Sequence, residues 1–195
     1  MKRFLDVVSS LLVLILLSPL WLVIALLIVC ESRGGVFYRQ IRVGKDNKDF
    51  NLYKFRTMRT GSDKRGLLTV GERDSRITRV GYFLRKYKLD EFPQLINVLK
   101  GDMSIVGPRP EVRKYVDMYT PEQLRVLSVR PGLTDLASIQ YVHENELLAA
   151  SEDPEKTYIE EVMPAKLALN LQYIDNQSVY GDFKLIWETF VAILH

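Results

Sequence analysis

From Val7 to Cys30 the chain carries no charged residue, and most positions are Leu, Val or Ile. A helix of about 20 apolar residues is long enough for a bilayer core of roughly 30 Å, so the run predicts a membrane element. Ser18-Pro19 interrupts it near the middle. Pro19 removes the N–H that would bond the carbonyl of Ile15 and pushes Ser18 away from helical angles. The Ser18 hydroxyl can bond back to a carbonyl one turn earlier and ease a sharp bend. Lys2 and Arg3 precede the run, and Arg33, Arg39, Arg42, Lys45 and Lys48 come after it, so both ends are basic. A straight crossing puts one basic end outside, against the usual bias, whereas a re-entrant hairpin keeps both inside. The bent, re-entrant form is the leading reading, with a kinked single span behind it. A cleaved signal peptide ranks last, because the apolar region is too long and no A-x-A-like site comes after it.

Beyond the run the pattern changes period. Residues 36–41 and 50–55 are rich in β-branched and aromatic side chains and flank a turn cluster at 44–49, which predicts a β-hairpin. Residues 60–74 are polar, contain Gly61, Gly66 and Gly71, and read as a loop. Helices are predicted from about Ser75 to Tyr87 and from Asp90 to a stop at Gly101. Thr120-Pro121-Glu122-Gln123 has the form of a helix start, and Pro131-Gly132 ends that segment. The final third reads as helical over Pro154–Asn176, interrupted at Pro164, and again over Asp182–Leu194. The last segment puts Phe183, Ile186, Trp187, Phe190 and Leu194 on one stripe, suited to the domain interior or to the headgroup region.

Of the 195 residues, about 165 lie beyond the apolar run, enough for one compact domain. The single cysteine, Cys30, rules out an internal disulfide framework and suits a reducing compartment. His143 and His195 lie far apart, and no Cys/His pair has zinc spacing. A net charge of +3 and a pI near 8.9 suit anionic headgroups or a phosphorylated substrate. The basic residues are spread out with no docking motif, which argues against nucleic acid.

The chemistry concentrates between Lys88 and Pro110. Asp90-Glu91 places two carboxylates where a helix begins, and free N–H groups there attract phosphate and favour ionised carboxylates. Arg85 lies a turn and a half earlier, and Arg109 sits between Pro108 and Pro110. Arginines so placed can clamp phosphate oxygens. An ionised Asp can attack phosphorus or hold a divalent cation. The same residues also read as an ordinary acidic first turn and a surface salt bridge. Lys54 and Arg56 share one face of the second hairpin strand, where Arg56 can meet a phosphate and Lys54 reads as structural support. Asp102 reads as a loop brace, and His143 and Glu144 as surface residues.

In order along the chain, the broken apolar segment, Gln40, Arg42 and Gly44, the run Tyr53–Met58, the block Leu89–Pro110 and Val129–Thr134 together resemble the small bacterial sugar transferases, the monotopic polyprenyl-phosphate phosphoglycosyl transferases. The resemblance implies an α/β fold in the broad sense (α+β, mostly helical). It implies a re-entrant membrane helix over 1–32 broken at Ser18-Pro19, and an interfacial cytoplasmic catalytic domain over 33–195 with a short β-hairpin and C-terminal amphipathic helices. The implied reaction moves sugar 1-phosphate from a UDP-linked nucleotide sugar to polyprenyl (undecaprenyl) phosphate at the bacterial inner membrane, releasing UMP and opening surface-glycan assembly. Asp90 would be the nucleophile and a ligand of Mg²⁺, Glu91 its assistant, and Arg85, Arg109 and Arg56 would bind substrate phosphates. A catalytically idle membrane scaffold for glycan-assembly enzymes is the alternative. One stretch departs from the family pattern: Asp135–His143 lacks an expected Trp, and Val142 stands where an Arg is expected.

Overall fold

The computed structural model describes residues 1–62 and 75–194, without the side chains of residues 193 and 194. Two apolar helices, α1 (Lys2–Leu16) and α2 (Ser18–Glu31), meet at an angle of 63°. Among the described residues no single helix is long and apolar enough to cross a membrane, while this bent pair passes the same test together. The break has a cause in the sequence. The Ser18 hydroxyl donates to the Ile15 carbonyl at 2.8 Å, the group that Pro19 leaves without its helical N–H.

Both arms of the V are tied to the rest of the chain. Asp6, buried in the second turn of α1, accepts from the Ser104 hydroxyl at 2.8 Å and the Ile105 N–H at 3.1 Å. Lys2 pairs with Asp182 at 2.5 Å and donates to the Tyr173 hydroxyl at 3.2 Å. Arg3 donates to the Leu99 carbonyl at 3.2 Å. On the other arm, Ile24 and Ile28 pack with Phe55 and Leu84, and the Glu31 carboxylate accepts the N–H groups of Arg79 and Val80 at 2.6 and 2.8 Å.

The predicted hairpin forms from β1 (Phe37–Val43) and β2 (Asp49–Phe55), paired antiparallel from Phe37↔Phe55 to Val43↔Asp49. The expected loop lies outside the described residues from 63 to 74. Helix α3 is Arg79–Lys86, shorter than predicted, because Ile77 bridges to Met58 and Thr78 caps the helix by accepting from the Gly81 N–H at 2.9 Å. The helix expected from Asp90 also starts later. Leu89–Glu91 is a 3₁₀ turn, and α4 runs from Gln94 to Lys100 with Gly101 in the left-handed region as its stop. Pro93, which has no N–H to give to the ladder, stands at its N-cap.

A second sheet was not legible in the sequence. The short strands β3 (Ser104–Val106) and β4 (Gly132–Thr134) pair in parallel. Next to them the backbones of Gly107 and Gly132 touch so closely that a Cβ on Gly132 would lie 2.2 Å from the Gly107 nitrogen. After α5 (Arg113–Val116), Thr120 and Gln123 form the predicted reciprocal cap, yet the segment Gln123–Ser128 winds as 3₁₀ rather than α. Helices α6 (Leu136–Gln140), α7 (Glu144–Ala149), α8 (Pro154–Thr157), α9 (Met163–Asp175) and α10 (Val179–Leu194) complete the described chain. A π turn over Tyr158–Val162 joins α8 to α9 and accommodates Pro164. Val112, Tyr115, Val126, Leu148, Tyr158, Met163 and Leu167 form the main core here. On α10 the side chains of Phe183, Ile186, Trp187 and Phe190 are exposed, and Leu194 of the expected stripe lies outside the described side chains.

Candidate active site

A cavity of about 940 Å³ opens between the hairpin, the Lys88–Glu91 turn, the Pro108–Pro110 connector and the C-terminal helices. Lys88 introduces the turn in the left-handed conformation, with φ 54°, an uncommon state for a residue with a Cβ. The adjoining 3₁₀ turn places Asp90 and Glu91 in the cavity wall. Val98 and Met103, packed with Leu52, support it from below through α4. Asn97 is fully buried and fixes α4 to the hairpin. Its side chain accepts from the Tyr53 N–H at 3.0 Å and donates to the Asn51 carbonyl at 2.7 Å and to Asp102 at 3.1 Å. Asp102 thus braces the loop, as the sequence suggested.

The two adjacent carboxylates have opposite environments. Glu91 is clamped. Arg109 donates to it through both terminal nitrogens, one at 3.0 Å and the other in closer contact, and Lys54 stands at 3.5 Å. Burial alone would push Glu91 up, but Arg109 and Lys54 outweigh it and hold the carboxyl well below the usual range. Asp90 is 7 % exposed, and among the described residues no hydrogen bond or ion pair reaches its carboxylate. Burial, then the neighbouring Glu91 charge, pushes it up, while Lys54, Arg85 and Lys88 pull in the other direction. Burial also pushes the Lys54 ammonium down, with Arg109 adding to the effect and Glu91 opposing it.

Of the predicted residues, Asp90, Glu91, Arg85 and Arg109 come together around the cavity. Arg85 donates through Nε to the Thr57 hydroxyl at 2.9 Å and faces Asp90 electrostatically. Arg109 is oriented by its own N–H, which donates to Asp135 at 3.2 Å, and its side chain is committed to Glu91 rather than to the surface. Arg56, expected as a phosphate ligand, lines the same cavity and is already engaged with backbone there. Its terminal nitrogens donate to the carbonyls of Ser32 and Arg33 at 2.7 and 2.6 Å, so it closes the C-terminal end of α2, where carbonyls lack helical partners. Ser18 and Pro19 sit at the helix break. His143 is exposed and pairs with Glu146, whereas Glu144 pairs with Lys166 at 2.6 Å on the cavity wall. Lys54, read from the sequence as structural support, does brace an acidic side chain, but its partner Glu91 was not foreseen. The available signal was its shared strand face with Arg56, and the decisive partner, Glu91, lies 37 positions away.

The donor set also bears on the expected Mg²⁺. Among the described residues no group of three or more His, Cys, Asp or Glu side chains could hold a metal ion. With Glu91 occupied, Asp90 is the carboxylate left for a cation. That set fits Mg²⁺, which is commonly held by one or two carboxylates together with substrate phosphates and water.

A buried carboxylate with no partner among the described residues, under the electrostatic influence of Lys54, Arg85 and Lys88 in one cavity, suits an anionic substrate. The chain belongs to the bacterial sugar transferase family, whose model matches residues 1–195. It is 39% identical over 196 residues to the UDP-N-acetylgalactosamine-undecaprenyl-phosphate N-acetylgalactosaminephosphotransferase of Aeromonas hydrophila, covering 99% of this chain and 43% of that protein. It is 38% identical to the UDP-glucose:undecaprenyl-phosphate glucose-1-phosphate transferase of Caulobacter vibrioides, over 99% of this chain and 69% of that one. Against an exopolysaccharide production protein of Rhizobium leguminosarum the identity is 39%, over 100% of this chain and 95% of the relative. The chain thus spans less than half of the Aeromonas protein and nearly the whole of the Rhizobium one.

Proposed function

We propose that this chain transfers sugar 1-phosphate from a UDP-sugar to undecaprenyl phosphate, releasing UMP, on the cytoplasmic face of a bacterial inner membrane. The observation that carries the reading is the Asp90-Glu91 pair: one carboxylate pinned by Arg109 and Lys54, the other buried, unpaired among the described residues and facing the cavity. The names of the Aeromonas and Caulobacter relatives supply the substrate class.

In the first half-reaction an Asp90 oxygen attacks the sugar-bearing phosphorus. The bond from that phosphorus to the bridging diphosphate oxygen breaks, and the electron pair leaves on UMP. Asp90 then carries the phospho-sugar as an acyl phosphate. In the second, an oxygen of the lipid phosphate attacks the same phosphorus and expels the Asp90 carboxylate, giving polyprenyl-diphospho-sugar. Phosphoryl transfer depends chiefly on positioning and charge neutralisation, and Arg85 and Lys88 lie beside Asp90 to provide the latter. Glu91, fully engaged, fixes Arg109 and Lys54 around the site instead of accepting a proton. Asp90 is the residue of this chain that would hold Mg²⁺, which would supply charge neutralisation for the diphosphate. The bent apolar pair holds the site at the depth of a lipid phosphate and replaces a search in solution with local encounter.

The test is UMP release from a panel of UDP-sugars with Mg²⁺ and undecaprenyl phosphate. Turnover is expected to depend on the lipid, to stop on chelation and to fall at least about 10³-fold in Asp90→Asn. Mass spectrometry of acid-quenched protein is expected to find the phospho-sugar on Asp90. Normal turnover in Asp90→Asn would refute the assignment of Asp90, whereas no lipid-dependent UMP release from the wild type with any donor would leave the idle-scaffold reading.

A further inference from the structure

The cavity reaches beyond the carboxylate pair. Its far wall is made by α6 and α9, which pack against each other, and by the loop leading into α7. The link to the reacting end is direct. Asp135 accepts the Arg109 N–H and also caps α6 by accepting from the Ser138 N–H at 2.8 Å. The wall therefore starts at the clamp on Glu91 and runs outward from it.

One side chain on this wall has no explanation within the fold. Asn170, on α9, is 4 % exposed, lines the cavity, and its buried Oδ1 accepts no hydrogen bond among the described residues. A buried amide oxygen without a partner is costly, and native proteins rarely leave one. One turn earlier on the same helix face, Lys166 lines the same wall and is held at 2.6 Å by Glu144. Ser138 adds a hydroxyl from α6. The wall thus alternates donors and acceptors: an amide with both, an ammonium, a carboxylate and a hydroxyl. Tyr141 supplies an aromatic face beside them. A neutral ring bearing several hydroxyls, each both donor and acceptor, matches that alternation. The fixed edge of a nucleobase needs fewer groups, and a phosphate would find the Glu144 carboxylate repulsive.

We propose that the α6–α9 wall, centred on Asn170 with Lys166, Glu144 and Ser138, holds the sugar ring of the donor and selects it. The assignment rests on the proposed transferase reading and adds the residues that discriminate among UDP-sugars. A site that hydrogen-bonds a particular hydroxyl or amide rejects an analogue lacking it far more strongly than an apolar pocket does.

The test uses the full chain in nanodiscs. Asn170→Leu keeps the volume close and removes an orphaned amide oxygen, so its melting temperature is expected to equal or exceed that of the wild type. Its kcat/KM for the preferred UDP-sugar is expected to fall at least tenfold, while non-preferred donors change less than threefold and the inhibition constant of UMP is unchanged. Lys166→Met is expected to shift the donor ranking in the same assay. An unchanged donor profile in both variants would overturn the proposal. So would an equal loss for every donor with matching weakening of UMP, which would put the base on this wall. Calorimetric titration of UDP-sugars into the wild type and Asn170→Leu reads the subsite without turnover. Donor-selective binding lost in the variant supports it even where UMP release fails, and that second failure would count against the transferase reading alone.

Discussion

Asp90 and Glu91 are neighbours in sequence, yet their surroundings drive their protonation in opposite directions. Burial and the Glu91 charge raise Asp90, so the proposed nucleophile becomes harder to ionise than an ordinary Asp near 3.9. The rate is therefore expected to fall, as pH drops, along a limb lying above the usual Asp range. Lys54 opposes the upward shift, so Lys54→Met should move that limb to higher pH still; a kcat/KM profile for UMP release that moves down or stays fixed would contradict the assignment. Glu91 has the reverse sign. Its folded-state pKa is depressed, so its contribution to stability is present above the unfolded value of about 4.3 and is lost only as pH falls through the depressed folded value. Removing its main partner in Arg109→Met leaves a buried carboxylate with Lys54 alone. Breaking such pairs costs about 3–5 kcal/mol when fully buried. With Arg109 a third exposed, a loss of about 2–3 kcal/mol is expected in denaturant unfolding. The four residues from Arg85 to Arg109 were legible because they crowd one stretch of sequence. For Lys54 the supporting role was legible but the partner was not, because Glu91 lies 37 positions away. The helix-capping contacts of Arg56 were not legible either, because an arginine that caps a helix end 24 positions away carries no local signal in sequence.

At the scale of elements, sequence reading succeeded where a period ran long enough to register. The hairpin and the break at Ser18-Pro19 fall where alternation and proline chemistry put them. The parallel β3–β4 pair did not register, because strands of three residues carry no usable period. The π turn before Pro164 and the 3₁₀ segment after Thr120 were likewise missed: caps announce where a helix starts but not its type. Yet β3 and β4 decide where Arg109 stands, since the Gly107–Gly132 contact immediately precedes Pro108-Arg109-Pro110. A Cβ at 2.2 Å from a backbone nitrogen requires the two segments to part. Gly132→Ala is therefore expected to cost about 2–4 kcal/mol, in the range of overpacking and backbone strain. It should also lower UMP release by more than the instability explains. Thermal melts and rates measured well below the melting temperature separate the two effects.

For the whole molecule, the decisive relation is that both arms of the apolar V are fastened to one body. The first two turns of α1 are held through Lys2, Arg3 and Asp6, and the last turns of α2 through Ile24, Ile28, Glu31 and Arg56. Between them Leu11, Leu12, Ile15, Leu16 and Leu22 are exposed. A straight helix over the same stretch of about 30 residues would separate its ends by about 45 Å at roughly 1.5 Å per residue, and one of the two fastenings would have to let go. Under the proposed membrane placement, the bend would let one body hold both ends on a single side of a bilayer with the leucine-rich tip inside it. Replacing Pro19 by Leu restores the missing N–H and removes the ring that crowds the Ile15 carbonyl, so the helix is expected to straighten. The observable is topology. In a Cys30→Ser background with a single cysteine at Phe4, an impermeant thiol reagent applied from outside intact cells should not label the parent, but should label the Pro19→Leu variant, whose lipid-dependent UMP release falls at least tenfold. Labelling of the parent from outside would mean that the chain crosses the membrane with its first residues released from Asp182 and Ser104, and the arrangement of arms and body would have to be abandoned.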